Sequence, residues 1–269
     1  MTNNKQLSFA TANDGARIAY RTAGKGPARC VLIHSLAMDH RFWHRVVPLI
    51  ENEAEILLID CRGHGRSDKP AGPYSGELFA EDIAAVMVAV SWESAVVCGA
   101  SMGGSISIAF AEAYPQMTSG LGLFDTTAFY GEDASKAWEE RAMKARREGL
   151  AALAGFQKTR WFSDAFREAN PDVVDEALGA FLANDMDAYV ETCRMLGAFD
   201  KRLALGNFRM PCEIRVGEED YATPVEMAKL LETSIPGSRM EVIGKARHLT
   251  PLEVPEIIAD AIRSLIDRA

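Results

Sequence analysis

The stretch "VVCGASMGGSISIAF", residues 96–110, constrains this chain more than any other. Val96, Val97 and Cys98 form an apolar run of the kind found in strands covered on both faces. Ser105, Ile106, Ile108, Ala109 and Phe110 open a helix that packs on one face. Between the two, Gly99, Gly103 and Gly104 crowd around Ser101. Gly99-Ala100-Ser101-Met102-Gly103 fits G-x-S-x-G, a pattern that predicts a sharp strand-to-helix turn with the serine hydroxyl projecting from it. Flanking positions must lack bulk for so tight a turn. The following helix offers free N–H groups and its positive dipole end to a developing oxyanion. A capping serine after a glycine-rich turn uses the same residue types. A nucleophile therefore requires a base, an acid and a second oxyanion donor elsewhere in the chain.

The rest of the chain alternates strands and helices. Segments 7–10 and 17–21, separated by Asn13-Asp14-Gly15, predict a hairpin with a tight turn at Asp-Gly. "CVLIH" (30–34), "EILLID" (55–60) and "SGLGLFD" (119–125) predict buried strands, and "ELFAEDIAAVMVAV" (77–90) has helical periodicity. Strand-like runs return at 212–216 and 239–243, with helices at 224–233 and 255–267. This order predicts an α/β fold with a mostly parallel central sheet and helices on both faces. From about 130 to 206 the strand signal gives way to helical segments at 134–148, 171–183 and 187–198. The expected organisation is one catalytic unit: a core of residues 1–129 and 207–269 with an inserted helical cap, 130–206. The cap would lie over the carboxyl edge of the sheet, where such folds bind ligands.

Composition narrows the functional classes. The 269 residues, 48% hydrophobic and 25% charged, can bury a full core without disulfide or metal support. Five scattered cysteines without CxxC spacing argue against a disulfide framework or a zinc site. A net charge of −9 disfavours nucleic acid as a partner. The polar N-terminus lacks the pattern of a secretory signal, and no stretch reaches the roughly 18 apolar residues of a membrane span. A soluble cytoplasmic protein acting on a small molecule is expected.

A serine hydroxyl needs a neighbouring base. Of the five histidines, His248 follows the predicted strand 239–243 by a short loop, on the same sheet edge as Ser101. His64, in "DCRGHGRSD", is expected to hold the shape of its glycine-rich loop, and His34 to brace the loop after its strand. His40 and His44 flank the first helix and are expected on or near its surface. The base in turn needs a carboxylate. "RVGEEDYATP" ends a strand with Glu218, Glu219 and Asp220, of which Asp220 is nearest the helix entry. Asp125, at the end of the strand before the cap, is the rival. The oxyanion site is assigned to two backbone N–H groups, that of Met102 and that of Leu36 in "HSLAM".

The series "HSLAMDHRFW", "DCRGHGRSDKPAGPYS", "CGASMGG", "GEEDYATP" and "RHLTPLEVPE" resembles the motifs of the α/β-hydrolase superfamily. The chain order Ser, Asp, His is that of the superfamily. Within it the chain is most similar to 3-oxoadipate enol-lactonases, through the cap segments "AMKARREGL" and "TRWFSDAFREANP" as well as the core motifs. The resemblance spans about residues 15 to 267. It implies cofactor-free hydrolysis of a small enol-lactone to 3-oxoadipate in aromatic-compound breakdown. Two departures lie near the site. His34-Ser35-Leu36-Ala37 replaces an Asn-Ser-Leu-Gly type loop, and Arg247 replaces a small residue before the base, with Thr250-Pro251 beyond it. The alternatives are a carboxylesterase or a hydrolase of a C–C or amide bond in a ring-cleavage product, with haloperoxidase or perhydrolase activity as a side reaction. A non-catalytic binder on this fold usually lacks a triad member, and none is missing here.

A lactone derived from a dicarboxylate keeps a free carboxylate, which calls for an arginine. The cap offers Arg141, Arg146, Arg147 and Arg160. "EERAMKARRE" reads as a solvated helix face with i, i+4 pairs, so Arg160, beside Trp161, is the assigned partner. Trp138, Trp161 and Phe129 are the candidate pocket lining, with Met102 and Met143 as further apolar positions that core packing explains equally well.

Overall fold

In a computed structural model that describes residues 7–269, the strands form one sheet in the order β1-β2-β4-β3-β5-β6-β7-β8. Residues 1–6, part of the polar N-terminus read above, lie outside the described residues. The strands are β1 (Ser8–Thr11), β2 (Arg17–Gly24), β3 (Ala28–Ile33), β4 (Ala54–Ile59), β5 (Ala95–Ala100), β6 (Thr118–Phe124), β7 (Cys212–Gly217) and β8 (Arg239–Ile243). The pairs β1–β2 and β2–β4 are antiparallel, and every other neighbouring pair is parallel. The Asp-Gly turn forms as a three-residue loop. Gly15, at φ 87°, takes the left-handed position while Ala12 N–H donates to Ala16 O at 2.8 Å.

The helices are α1 (Val47–Ile50), α2 (Gly76–Ala89), α3 (Met102–Ala113), α4 (Ala134–Glu148), α5 (Ala154–Trp161), α6 (Asp164–Ala169), α7 (Pro171–Leu182), α8 (Met186–Ala198), α9 (Val225–Ser234), α10 (Thr250–Glu253) and α11 (Pro255–Ile266). Helix α2 starts where the Ser75 hydroxyl accepts the Leu78 N–H at 3.2 Å, a side-chain N-cap. It buries Phe79, Ala80, Ile83 and Met87 at helical spacing. Helices α2 and α3 pack together against the sheet, as do α1 and α11. With helices on both faces, all six residues of β5 are buried, as its continuous apolar run requires. Each fully buried aliphatic side chain there contributes about 1.5–3 kcal/mol.

Helices α4 to α8 all belong to the connection between β6 and β7. The periodic segments at 134–148, 171–183 and 187–198 correspond to α4, α7 and α8 within a few residues. Helices α5 and α6 are shorter than the window over which a 3.6-residue period can be read. Because β3, β5, β6, β7 and β8 run parallel, the loops that follow them gather at one edge of the sheet. Among the described residues no helix is long and apolar enough to cross a membrane.

Candidate active site

Ser101 follows β5 with φ 54° and ψ −119°, outside the regions L-residues favour. Such a conformation costs about 1–3 kcal/mol and persists only where the surroundings hold it. Here Ser101 N–H donates to Phe124 O at 2.8 Å, and Thr126 Oγ1 donates to Ser101 O at 2.7 Å. The glycine spacing has a steric cause. A Cβ on Gly99 would lie 2.0 Å from Gly103 O, and one on Gly103 would lie 2.2 Å from Ile33 O. Backbone fills both places, so only glycine lets α3 approach β3 and β5 this closely.

The loop after β8 brings His248 to Ser101, with Nε2 2.9 Å from Oγ. On its far side His248 Nδ1 lies 2.8 Å from Asp220 Oδ2. An ionised carboxylate only accepts, so Nδ1 carries the proton and Nε2 is left to accept from the Ser101 hydroxyl. All three side chains are buried. Asp220 also accepts the N–H groups of Ala222 and Thr223, at 2.7 and 3.0 Å, and the Thr223 hydroxyl at 2.8 Å. Burial opposes its charge, but the His248 charge and these hydrogen bonds outweigh that and hold its pKa below the ordinary value.

Asp125 sits beneath this pair and makes different bonds. Its Oδ2 accepts the Thr250 N–H at 2.9 Å and hydroxyl at 2.7 Å, and its Oδ1 accepts Gly217 N–H at 3.3 Å. Burial and the neighbouring Asp220 push its pKa well above the usual carboxylate range. It ties together the loops that bear Asp220 and His248.

Met102 N–H, at the start of α3, and Leu36 N–H, in the loop after β3, have no acceptor among the described residues. His34 braces that loop: its Nε2 accepts Cys61 N–H at 3.0 Å, so Nδ1 carries the proton and donates to Ser35 O at 2.8 Å. His64 Nδ1 bonds Arg62 O at 2.9 Å, within its own loop. His44 is exposed, whereas His40, expected at the surface, is part-buried with Nδ1 2.8 Å from Asp60 Oδ1. Asp39, His40 and Asp60 hold ligand-type atoms within 4.8 Å of one another. Their oxygens are engaged by Arg41, by His40 and by Arg66 N–H, which makes the group a loop brace.

Ser101 opens into a narrow cavity of about 20 Å³ lined by Tyr130, Trp138, Arg141, Gln157, Arg160 and Trp161, with Thr223 and His248 beside the serine. A second cleft shares Tyr130, Trp138, Arg141 and Arg160 and opens beside Ala222 and Met227. The apolar groove between Phe42 and Val173 is roomier but carries no nucleophile beside a base. Arg141 Nε donates to Tyr189 OH at 2.8 Å, and its guanidinium lies over the Trp138 ring. Arg160 lies over the Phe156 ring, and burial followed by the Arg141 charge pushes its pKa down to about 10. Among the described residues neither guanidinium pairs with a carboxylate. The Gln157 Oε1 is buried without a partner.

Trp138, Arg160 and Trp161 thus line the cavity beside Ser101, and Phe129 does not. Its backbone bridges Asp200 and its ring lies under the Arg202 guanidinium at 3.6 Å, because successive residues of an extended segment point opposite ways. Tyr130, the next residue, faces the cavity. Met102 and Met143 pack in the core, Arg146 pairs with Asp187 at an exposed site, and Arg147 approaches Glu148. Arg141, read from the sequence as a charge on a solvated helix face, lines the cavity, as do Gln157 and Tyr130, which the sequence did not single out. A usable signal existed in the i, i+3 spacing of Trp138 with Arg141 and of Gln157 with Arg160.

A model of the alpha/beta hydrolase fold matches residues 30–255. The chain is 28% identical to 3-oxoadipate enol-lactonase 2 of Acinetobacter baylyi over 96% of each chain. The crystal structure of the enol-lactonase from Burkholderia xenovorans LB400 overlays with a TM-score of 0.91 at 29% identity, covering 97% of this chain and all of that one. A thermophilic esterase from Thermogutta terrifontis, solved with malate bound, overlays with a TM-score of 0.90 at 26% identity over 97% and 98% of the two chains.

Proposed function

The chain belongs to the alpha/beta hydrolase family, and we propose that it hydrolyses a small, carboxylate-bearing lactone or ester through an acyl-enzyme on Ser101. The observation that carries this reading is the hydrogen-bonded line from Ser101 Oγ through both nitrogens of His248 to Asp220. His248 Nε2 takes the hydroxyl proton as Oγ attacks the carbonyl carbon. The amides of Leu36 and Met102 hold the oxyanion, and Nε2–H then protonates the leaving oxygen. Water repeats the sequence on the acyl-serine, with His248 as base, and releases the acid.

The substrate reading rests on Arg141 and Arg160, two guanidiniums beside Ser101 with no carboxylate opposite them. A charge-assisted bond to a substrate carboxylate supplies the missing counter-ion. An enol-lactone such as that of 3-oxoadipate fits this demand, because its leaving oxygen is an enolate and needs little help from the acid. The Acinetobacter and Burkholderia relatives named enol-lactonases support the same assignment. Residues 130–206 act as the cap over a core of 1–129 and 207–269, since Trp138, Arg141 and Arg160 come from that block. A carboxylesterase is the second reading, favoured by the overlay with the Thermogutta esterase.

Fluorophosphonate labelling and turnover of the Ser101→Ala protein test the scheme. We expect the variant to stay folded, to resist the label and to lose turnover of both p-nitrophenyl acetate and the enol-lactone. Full activity in the variant overturns it. A higher kcat/KM for simple esters than for the enol-lactone favours the carboxylesterase.

A further inference from the structure

Arg247 stands next to the base and takes no part in the chemistry above. Its Nη1 donates to the carbonyls of Thr159 and Phe162, at 2.8 and 3.0 Å, and lies 3.0 Å from Asp164 Oδ1. Its Nε lies 3.3 Å from Glu219, the neighbour of Asp220. Its own N–H donates to Glu253 Oε2 at 3.0 Å. The other oxygen of Glu253 accepts both the N–H and the hydroxyl of Ser163. Just past the base, Leu249 N–H donates to Trp161 O at 3.1 Å.

These bonds sew the base-bearing turn, 247–253, to the segment 159–164. That segment carries Arg160 and Trp161, which line the cavity over Ser101. Nη1 of the guanidinium suits the end of α5, where free carbonyls and the negative end of the helix dipole attract a cation. The Arg247 side chain is 17% exposed, so its bonds to the two carbonyls are shielded from water, whereas Asp164 and Glu219 are exposed and their attraction to it is screened. A lysine in its place would keep the charge and a single donor nitrogen on a different, more flexible stem.

We propose that Arg247 is a positioning residue: it holds Arg160 and Trp161 in place relative to Ser101 and His248, and so controls recognition of the anionic end of the acyl group without touching it. The inference rests on the reading of Ser101 as nucleophile and of Arg160 as carboxylate partner.

The test compares Arg247→Ala, Arg247→Lys and Arg160→Ala on mono(4-nitrophenyl) succinate and on 4-nitrophenyl butyrate, two esters of similar length that differ in the terminal charge. Hydrogen–deuterium exchange of the peptide spanning 159–164 is followed in parallel. For Arg247→Ala we expect KM for the succinyl ester to rise about tenfold, KM for the butyryl ester to change less than about threefold, and exchange at 159–164 to quicken. Arg247→Lys should recover part of the loss. Unchanged exchange overturns the inference whatever the kinetics, and so does an equal effect on both esters when Arg160→Ala discriminates between them. If Arg160→Ala also fails to discriminate while exchange at 159–164 quickens, the reading of Arg160 as carboxylate partner fails, and with it the control of recognition assigned to Arg247.

Discussion

Asp125 and Asp220 stand past the carboxyl ends of the neighbouring strands β6 and β7, yet it is Asp220 that reaches His248, while Asp125 bonds Thr250 two residues further on. The two carboxylates are pushed in opposite directions. The His248 charge and the Thr223 bonds keep Asp220 ionised against burial, whereas burial and the charge of Asp220 drive Asp125 toward its protonated form. Asp220→Asn should therefore lower kcat by on the order of 10³–10⁴, because the imidazole loses its tautomer and its counter-charge. Asp125→Asn sets its amide NH2 against a backbone N–H that the carboxyl now accepts, from Gly217 or Thr250, and so should cost about 1–3 kcal/mol of stability, but it leaves the Asp220–His248 bond in place and should change kcat less than about fivefold. Steady-state kinetics on one ester checks both, and equal losses would return Asp125 to the role of acid.

The arginine pair makes a pH-dependent prediction. With its pKa pushed down to about 10, Arg160 keeps its charge at neutral pH and loses it in the alkaline range. Inhibition by glutarate, a dicarboxylate with no bond to hydrolyse, should be flat from about pH 7 to 9 and weaken as the pH passes the Arg160 pKa. Arg160→Met should raise the glutarate Ki by about 10–100-fold and flatten its alkaline rise, in line with the worth of a charged hydrogen bond. An unchanged Ki in the variant removes Arg160 from the anion site.

His64 links pH to stability. Its Nδ1 bonds Arg62 O and its Nε2 is buried without a partner, and burial pushes its pKa from 6.5 down to about 3. The unfolded chain takes up the proton first as pH falls. This contribution is therefore complete above 6.5 and is lost progressively between 6.5 and about 3. The slope contributed by one such group is at most about 1.4 kcal/mol per pH unit. Urea midpoints at two pH values within that window should drop further for the parent protein than for His64→Gln. A parallel drop would mean that His64 does not resist protonation.

Gly103→Ala probes the elbow. The added Cβ would meet the Ile33 carbonyl oxygen, which belongs to the central strand β3 and has no room to retreat. Calorimetry should show a destabilisation of about 1–3 kcal/mol, in the range of overpacked cores. A variant as stable as the parent would show that α3 can shift away from β3 at little cost.

Much of the site was legible because its signals are local. The elbow announces itself through glycines on both sides of a serine at a strand-to-helix junction, and His248 and Asp220 each follow a recognisable strand by a short loop. Residues 130–206 were less legible. Arg141 looks like one more charge on a solvated helix face, and only the packing of α4 against α8 turns Trp138 and Arg141 inward. Phe129 and Tyr130 are adjacent aromatics, and a one-residue phase decides which of them faces the cavity.

The sequence by itself determined the alternation of strands and helices, the elbow at Ser101 and the loops on which His248 and Asp220 stand. These follow from periodicity and backbone sterics, which act over a few residues. The tertiary structure alone decided which carboxylate meets His248, which arginines surround Ser101 and what Arg247 holds together. Those outcomes depend on distances between segments far apart in the chain, and side-chain packing across the sheet edge sets such distances, not any local pattern.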